Sequence, residues 1–251
     1  MSPPPMASRE AVREERFSEV WNKDLEEVFA DVAPYYDRAN DVASLGRFNS
    51  FRRRLVKLAD LAPRQKVLDV CAGTNAVGIA LLQREPTLDV HAIDRSTAMQ
   101  TVGQVRAADL GFQIKSTIGD VHRLPFPDAH FDLVTLQFAS RHLRVREVFS
   151  EIRRVLKPGG HFYHSDMLRP SNRVVRQLYY TYLRGCLNVT AFLFGSGKAA
   201  NNARQYFLDA LDMFYTPEEM SILLRELGFE DVYAETAFYG MVGFHRAARP
   251  Y

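Results

Sequence analysis

From Lys66 to Asp166 short apolar runs alternate with segments of helical spacing, and this rhythm constrains the fold more than any other feature of the chain. The runs that read as strands are 66–70, 89–94, 113–118, 131–138 and 160–166. Between them, 76–84, 97–107 and 144–156 carry apolar residues three and four apart, as a helix with one buried face does. Strands separated by helices of this length are joined by right-handed crossovers and lie parallel, covered on both faces. Residues 229–236 and 239–247 are close enough to pair as an antiparallel hairpin. Before them, Thr216-Pro217-Glu218-Glu219 starts a helix that Gly228 ends. The expected class is therefore α/β, a doubly wound, mostly parallel, seven-stranded sheet of Rossmann-like type. Pro158-Gly159-Gly160 is expected to make the turn into the fifth strand.

A chain of 251 residues, 47% hydrophobic and 25% charged, is sized for one such domain. Residues 1–8 read as a flexible tail and 9–251 as a single domain, with a helical lid over 9–60 and a helical cap inserted at 171–214. Within the lid, 15–30 has the spacing of one helix and 47–60 that of another. A net charge of +2 gives no support for a nucleic-acid surface. Cys71 and Cys186 are too few for a disulfide framework or a cysteine-built metal site. His161 and His164 point to opposite faces of a strand and cannot share a metal, so no metal is expected. The amino end has prolines and mixed charges instead of an apolar signal core, and the apolar run 189–194 is far too short to span a membrane. A cytoplasmic protein is expected.

The turn after the first strand, in VLDVCAGTNAVGIALL, has one glycine, Gly73, with Cys71 and Asn75 where two others belong in a nucleotide-binding loop. The second strand ends in Asp94, about 20 residues further on, where a carboxylate can accept both hydroxyls of a ribose. The third is followed by Gly119-Asp120-Val121, which sets a second acid where an adenine amino group can reach it. Asn75 would crowd a pyrophosphate, whereas S-adenosyl-L-methionine presents only a small carboxylate to such a loop. That cofactor, leaving as S-adenosyl-L-homocysteine, suits the pattern better than a dinucleotide.

These and further pieces carry a family resemblance. VFADVAPYYDRANDVASLG, VLDVCAGT, the acid in AIDRS, GDVHRLPFPDAHFD, LQFASRH, EIRRVLKPGG and the carboxyl-terminal TPEEM…ELGF…YGMVGFHR span nearly the whole chain. On them the chain resembles the ubiquinone/menaquinone biosynthesis C-methyltransferases, a branch of the class I S-adenosylmethionine-dependent methyltransferases. The resemblance implies that Thr74, Asp94, Asp120, Val121 and Gln137 line the cofactor, with Asp69, Gly73 and Arg95 beside them. It implies that Tyr36, Arg141 and His142 face a small lipophilic quinol or phenolic ring, which is C-methylated. Arg141 would hold the phenolate oxygen, and His142, titrating near neutral pH, would take a proton; the alternatives are that Arg141 pairs with an acid and that His142 caps the following helix. The chain departs from the family pattern at Ala72-Gly73-Thr74-Asn75-Ala76, in place of Gly-Gly-Thr-Gly-Asp. It departs again at Ala139 and His142, where the pattern has Gly and Asn. Asp166 reads either as a substrate contact or as a solvated turn acid. Arg52-Arg53-Arg54 reads as a solvated helix face, with a resting place on anionic lipid of the inner membrane face as the alternative. A homodimer is a further expectation. The rival functions are a catalytically silent partner of the same fold, favoured by the two missing glycines, and a methyltransferase for another small molecule.

Overall fold

The computed structural model describes residues 6–21, 25–194 and 204–251. Strands β1 (Lys66–Val70), β2 (Asp89–Asp94), β3 (Lys115–Ile118), β4 (Phe131–Gln137) and β5 (Leu156–Met167) run parallel, while β6 (Glu230–Ala237) and β7 (Val242–Ala248) form an antiparallel pair. The order across the seven-stranded sheet is β3-β2-β1-β4-β5-β7-β6, with β7 antiparallel to β5. Helices α1 (Met6–Glu19), α2 (Leu25–Val32), α3 (Tyr36–Ala43) and α4 (Phe48–Leu58) precede the sheet. Helices α5 (Ala76–Arg84), α6 (Thr97–Asp109) and α7 (Val145–Val155) are the crossovers. After β5 come α8 (Arg173–Phe194) and α9 (Arg204–Asp212), then α10 (Pro217–Glu226).

Local chemistry accounts for the element ends. Thr216 caps α10: its hydroxyl accepts from Glu219 N at 3.2 Å, and the Glu219 carboxylate accepts from Thr216 N at 2.8 Å. Pro217 stands in the first turn, where its missing N–H costs nothing. Four expectations are corrected. Residues 6–8 of the expected tail belong to α1, which begins at Met6; residues 1–5 lie outside the described residues. The single helix expected over 15–30 is two, α1 and α2, separated by a segment that includes the undescribed residues 22–24. The third strand starts at Lys115, where its pairing with His91 begins, not at 113. Pro158-Gly159-Gly160 does not precede β5 but bulges within it, since Phe131 pairs with Leu156 and Leu133 with His161. A Cβ on Gly160 would stand 2.9 Å from the Lys157 carbonyl oxygen, which explains the glycine.

The two faces of the sheet carry separate cores. On one, α7 buries Val145, Val148, Phe149, Ile152 and Val155, a stripe at spacings of three and four residues. Phe149 meets Phe162 edge to face at 4.9 Å. Because both rings are fully enclosed, Phe149→Ala should cost about 3–5 kcal/mol, read as a drop in the urea midpoint. The lid and cap share a third cluster, in which Phe17, Trp21, Leu25 and Val28 pack on Tyr206 and Ala210. Fully buried Arg13 anchors α1, donating from Nη2 to the Leu143 carbonyl at 2.9 Å under the rings of Trp21, Phe214 and Tyr215. The amino-terminal helices thereby roof the carboxyl ends of β1, β2 and β4.

Candidate active site

Under that roof lies a cleft. Its floor begins at the loop after β1, where Cys71 (φ 53°), Gly73 (φ 51°) and Asn75 (φ 55°) are all left-handed. The loop thus keeps a glycine-type backbone with two side chains in place, at a strain of about 1–2 kcal/mol for a residue such as Cys71 and less for asparagine. Asn75 does not crowd the cleft as expected. It is fully buried, its Oδ1 accepts from Gln100 Nε2 at 2.9 Å, and its side chain fills the space above Gly103, where a Cβ would come within 2.8 Å of it. Asn75 fastens the loop to α6. Asn75→Gly should therefore lower stability by about 1 kcal/mol, the usual worth of one buried hydrogen bond, and leave cofactor affinity no tighter. Thermal melting and calorimetry of that variant check both.

Asp94 ends β2 against this loop. Its carboxylate accepts from Gly73 N and Ser96 N, both at 2.8 Å. Burial raises its pKa, and those two backbone N–H groups work against the rise. The carboxylate is thus held in one orientation with lone pairs to spare. Asp69 lies on the floor, enclosed, with Oδ1 accepting from Thr135 Oγ1 at 2.7 Å and the backbone N–H of Gly78 turned toward the carboxylate. Burial pushes its pKa up to about 7. Gln137 at the end of β4 has a buried Nε2 with no partner among the described residues. Val121 gives an apolar wall, while Asp120 is exposed and ties its Oδ1 to the backbone and ring of His122, at 3.0 and 2.6 Å. Arg95 lines the cleft and donates to the Trp21 carbonyl at 2.5 Å, a link from β2 to the lid.

Thr74 lines the cleft, but its hydroxyl is taken: Oγ1 donates to Asp37 Oδ2 at 2.9 Å. Asp37 also receives Arg106 at 2.6 Å and Arg52 at 3.2 Å, so one carboxylate of α3 gathers the cofactor loop, α4 and α6. Sequence reasoning missed Asp37 as a site residue, although YD-x-x-ND was its signal. The arginine run is split accordingly. Arg52 is buried on Asp37 and Arg54 pairs with Glu235 at 2.5 Å, so of the three only Arg53 is fully exposed.

The other half of the cleft is aromatic. Phe29, Tyr36, Phe48 and Phe138 line it, with Phe48 stacked on Phe138 at 5.5 Å. Burial pushes the Tyr36 phenol up to about 12, so it stays protonated. His142 lines this half; Arg141 stands behind the wall. Arg141 Nη1 donates to Asp166 Oδ1 at 2.7 Å and to the Phe138 carbonyl at 2.8 Å. Asp166 is fully buried and also accepts from Ser140 Oγ at 2.5 Å, so it is not a solvated turn acid. Burial, with Arg141 and Arg13 nearby, lowers the His142 pKa well below the ordinary histidine value, so titration near neutral pH is not what its surroundings produce.

The described residues fit S-adenosyl-L-methionine. Asp94 is a fixed carboxylate of the kind that would accept from a ribose, Gln137 Nε2 is a buried donor without a partner among the described residues, and Gly73 has open space where a Cβ would stand. The sheet order, the left-handed loop after β1 and the acid ending β2 define a class I methyltransferase fold. Solved structures agree on the fold. A SAM-dependent methyltransferase from Aquifex aeolicus superposes with a TM-score of 0.57 at 18% identity, covering 84% of this chain and 97% of that one. A phosphoethanolamine N-methyltransferase 2 of Haemonchus contortus, in complex with S-adenosyl-L-methionine, gives 0.60 at 17%, over 82% of this chain and 53% of that one.

Residues 17–249 match the model of the ubiE/COQ5 methyltransferase family, and the chain belongs to that family. It is a methyltransferase that uses S-adenosyl-L-methionine. A demethylmenaquinone methyltransferase of Renibacterium salmoninarum is 33% identical over 88% of this chain and 90% of its own length. A ubiquinone/menaquinone biosynthesis C-methyltransferase of Ectopseudomonas mendocina is 31% identical over 89% and 88%.

Proposed function

We propose that the protein C-methylates the ring of a prenylated quinol or a closely related phenol. The observation that carries this reading is the two-part cleft: a polar half built on Asp94 and the β1 loop, continuous with an aromatic half that presents Tyr36 and His142. The named activities of the relatives point to the same substrate class. Bound S-adenosyl-L-methionine supplies an electrophilic methyl group on a sulfonium. The chain's own work is to hold the ring carbon in line with that methyl and to keep water out. Phe29, Phe48 and Phe138 give the ring flat apolar walls. Tyr36, kept protonated, donates to a ring oxygen, and Arg141 adds positive potential from behind the wall, its orientation fixed by Asp166. The retained left-handed loop removes the main argument for a catalytically silent partner.

The test is methyl transfer from labelled cofactor to a panel of demethylated quinols, simple phenols and small amines under reducing conditions, with the product located by mass spectrometry. Carbon-bound methyl on a prenylated quinol is the expected product. Transfer to an amine alone, or to nothing, would reject the reading.

A prenylated substrate resides in lipid, and α8 is suited to meet it. Val174, Leu178, Val189 and Phe192 are exposed along α8, which also holds Arg173, Arg176 and Arg184 and no acid. Such a helix rests in the interface of an anionic bilayer. Tyr182 of α8 donates to the Ala43 carbonyl at 2.5 Å, tying that surface to α3, the helix of Tyr36. No helix among the described residues is long and apolar enough to cross a membrane. The protein should float with vesicles containing phosphatidylglycerol, and Leu178→Glu with Phe192→Glu should release it. Retention of the double variant would contradict the assignment; a concentration-dependent dimer lost on the same substitutions would assign the face to a second copy instead.

A further inference from the structure

Trp21, Tyr206 and His142 form a hydrogen-bonded chain that runs from the lid through the cap to the wall of the cleft. Trp21 Nε1 donates to Tyr206 Oη at 2.7 Å, and the same oxygen stands 2.6 Å from His142 Nδ1. An indole N–H only donates, so Tyr206 is an acceptor toward Trp21. Its own proton then has His142 Nδ1 as the acceptor within reach. Burial pushes the Tyr206 phenol up, which keeps that proton in place. Burial and the neighbouring Arg141 and Arg13 keep the imidazole neutral. A neutral imidazole that accepts at Nδ1 carries its hydrogen on Nε2. Nε2 is buried, has no hydrogen-bond partner among the described residues, and belongs to a residue of the cleft wall. A buried N–H without an acceptor is costly, and the group that completes it has to come from the occupant of the cleft.

We infer that Trp21 and Tyr206 are positioning residues that fix His142 as an Nε2–H donor to an oxygen of the ring substrate, in place of the proton acceptor expected from sequence. The inference rests on the cleft being a ring-methylating site. A neutral imidazole in this role stabilises negative charge on the ring oxygen without a third buried positive charge beside Arg141 and Arg13. Both ends of the chain are needed. Trp21 occupies one acceptor position of the phenol, and Tyr206 turns its remaining hydrogen toward His142.

The experiment combines the tautomer and the kinetics. In protein labelled with ¹⁵N-histidine, the ring of His142 is assigned by its loss in His142→Gln. Its Nε2 should show the shift of a protonated nitrogen and its Nδ1 that of a bare one. Tyr206→Phe, checked for folding by its melting curve, should lose that single tautomer and slow turnover about fivefold to tenfold, with cofactor affinity unchanged. Asparagine can donate an N–H but cannot take a proton near neutral pH, so His142→Asn should stay within about tenfold of the parent. His142→Ala, with no donor, should fall on the order of a hundredfold. A proton on Nδ1 in the parent, the same tautomer in Tyr206→Phe, or His142→Asn as slow as His142→Ala would overturn the inference. The nitrogen shifts need no substrate, so a protein that methylates no quinol yet shows the Nε2–H tautomer would reject the proposed substrate and leave the hydrogen-bonded chain standing.

Discussion

Asp94→Ala should weaken S-adenosyl-L-methionine binding at least tenfold while the protein stays folded. The carboxylate is already oriented by Gly73 N and Ser96 N, so it meets a ribose without reorganising. Each hydrogen bond from a ribose hydroxyl to this charged acceptor is worth about 1.5–3 kcal/mol, and two of them are lost. Burial has already raised the cost of ionising Asp94, which sets the expectation at the low end of that sum. The variant also frees Gly73 N, so the loop itself loosens. Asp94→Asn, which keeps an acceptor oxygen, should fall between parent and alanine. Equal calorimetric affinities for the parent and a folded Asp94→Ala would remove Asp94 from the cofactor site.

Asp166→Ala should destabilise the protein by about 3–5 kcal/mol, because it leaves Arg141 enclosed without its counter-charge. Asp166 is wholly buried, and the Arg141 side chain is only 12% exposed, so solvent screens the pair little. The same carboxylate accepts from Ser140 Oγ, whose oxygen stands 2.8 Å from His164 Nε2, so a second buried bond goes with it. Asp166→Asn keeps the shape and part of the hydrogen bonding and should lose less. The urea midpoint at constant slope measures both variants. A midpoint unmoved in Asp166→Ala would show that Arg141 finds water or another partner.

The sequence made the β–α alternation legible because strand and helix periods are local. Lys66–Val70 and Asp89–Asp94 fall where the apolar runs place them, and the Thr216 capping box is visible in four consecutive residues. What a spacing argument could not show is which distant group a polar side chain meets. Asn75 reads as an obstruction until Gln100, 25 positions on, is seen to hold it away from the cleft. Arg141 reads either as a free fork or as the partner of an acid, and spacing does not name that acid, Asp166, also 25 positions away. His142 reads as an ordinary neutral-pH base, but burial, with Arg141 and Arg13 nearby, lowers its pKa, and its hydrogen-bond partner Tyr206 comes from the cap 64 positions later. The bulge in β5 was hidden because proline and glycine suit a turn and a bulge alike.

We propose that the loop of Cys71, Gly73 and Asn75, built on left-handed backbone, forms one working site with Asp94. Calorimetric titration of the purified, reduced protein with S-adenosyl-L-methionine should show saturable one-to-one binding in the parent, at least tenfold weaker binding in Asp94→Ala, and no gain in Asn75→Gly. Absence of binding in the parent, or a large gain when glycine replaces Asn75, would show instead that the loop has lost its site.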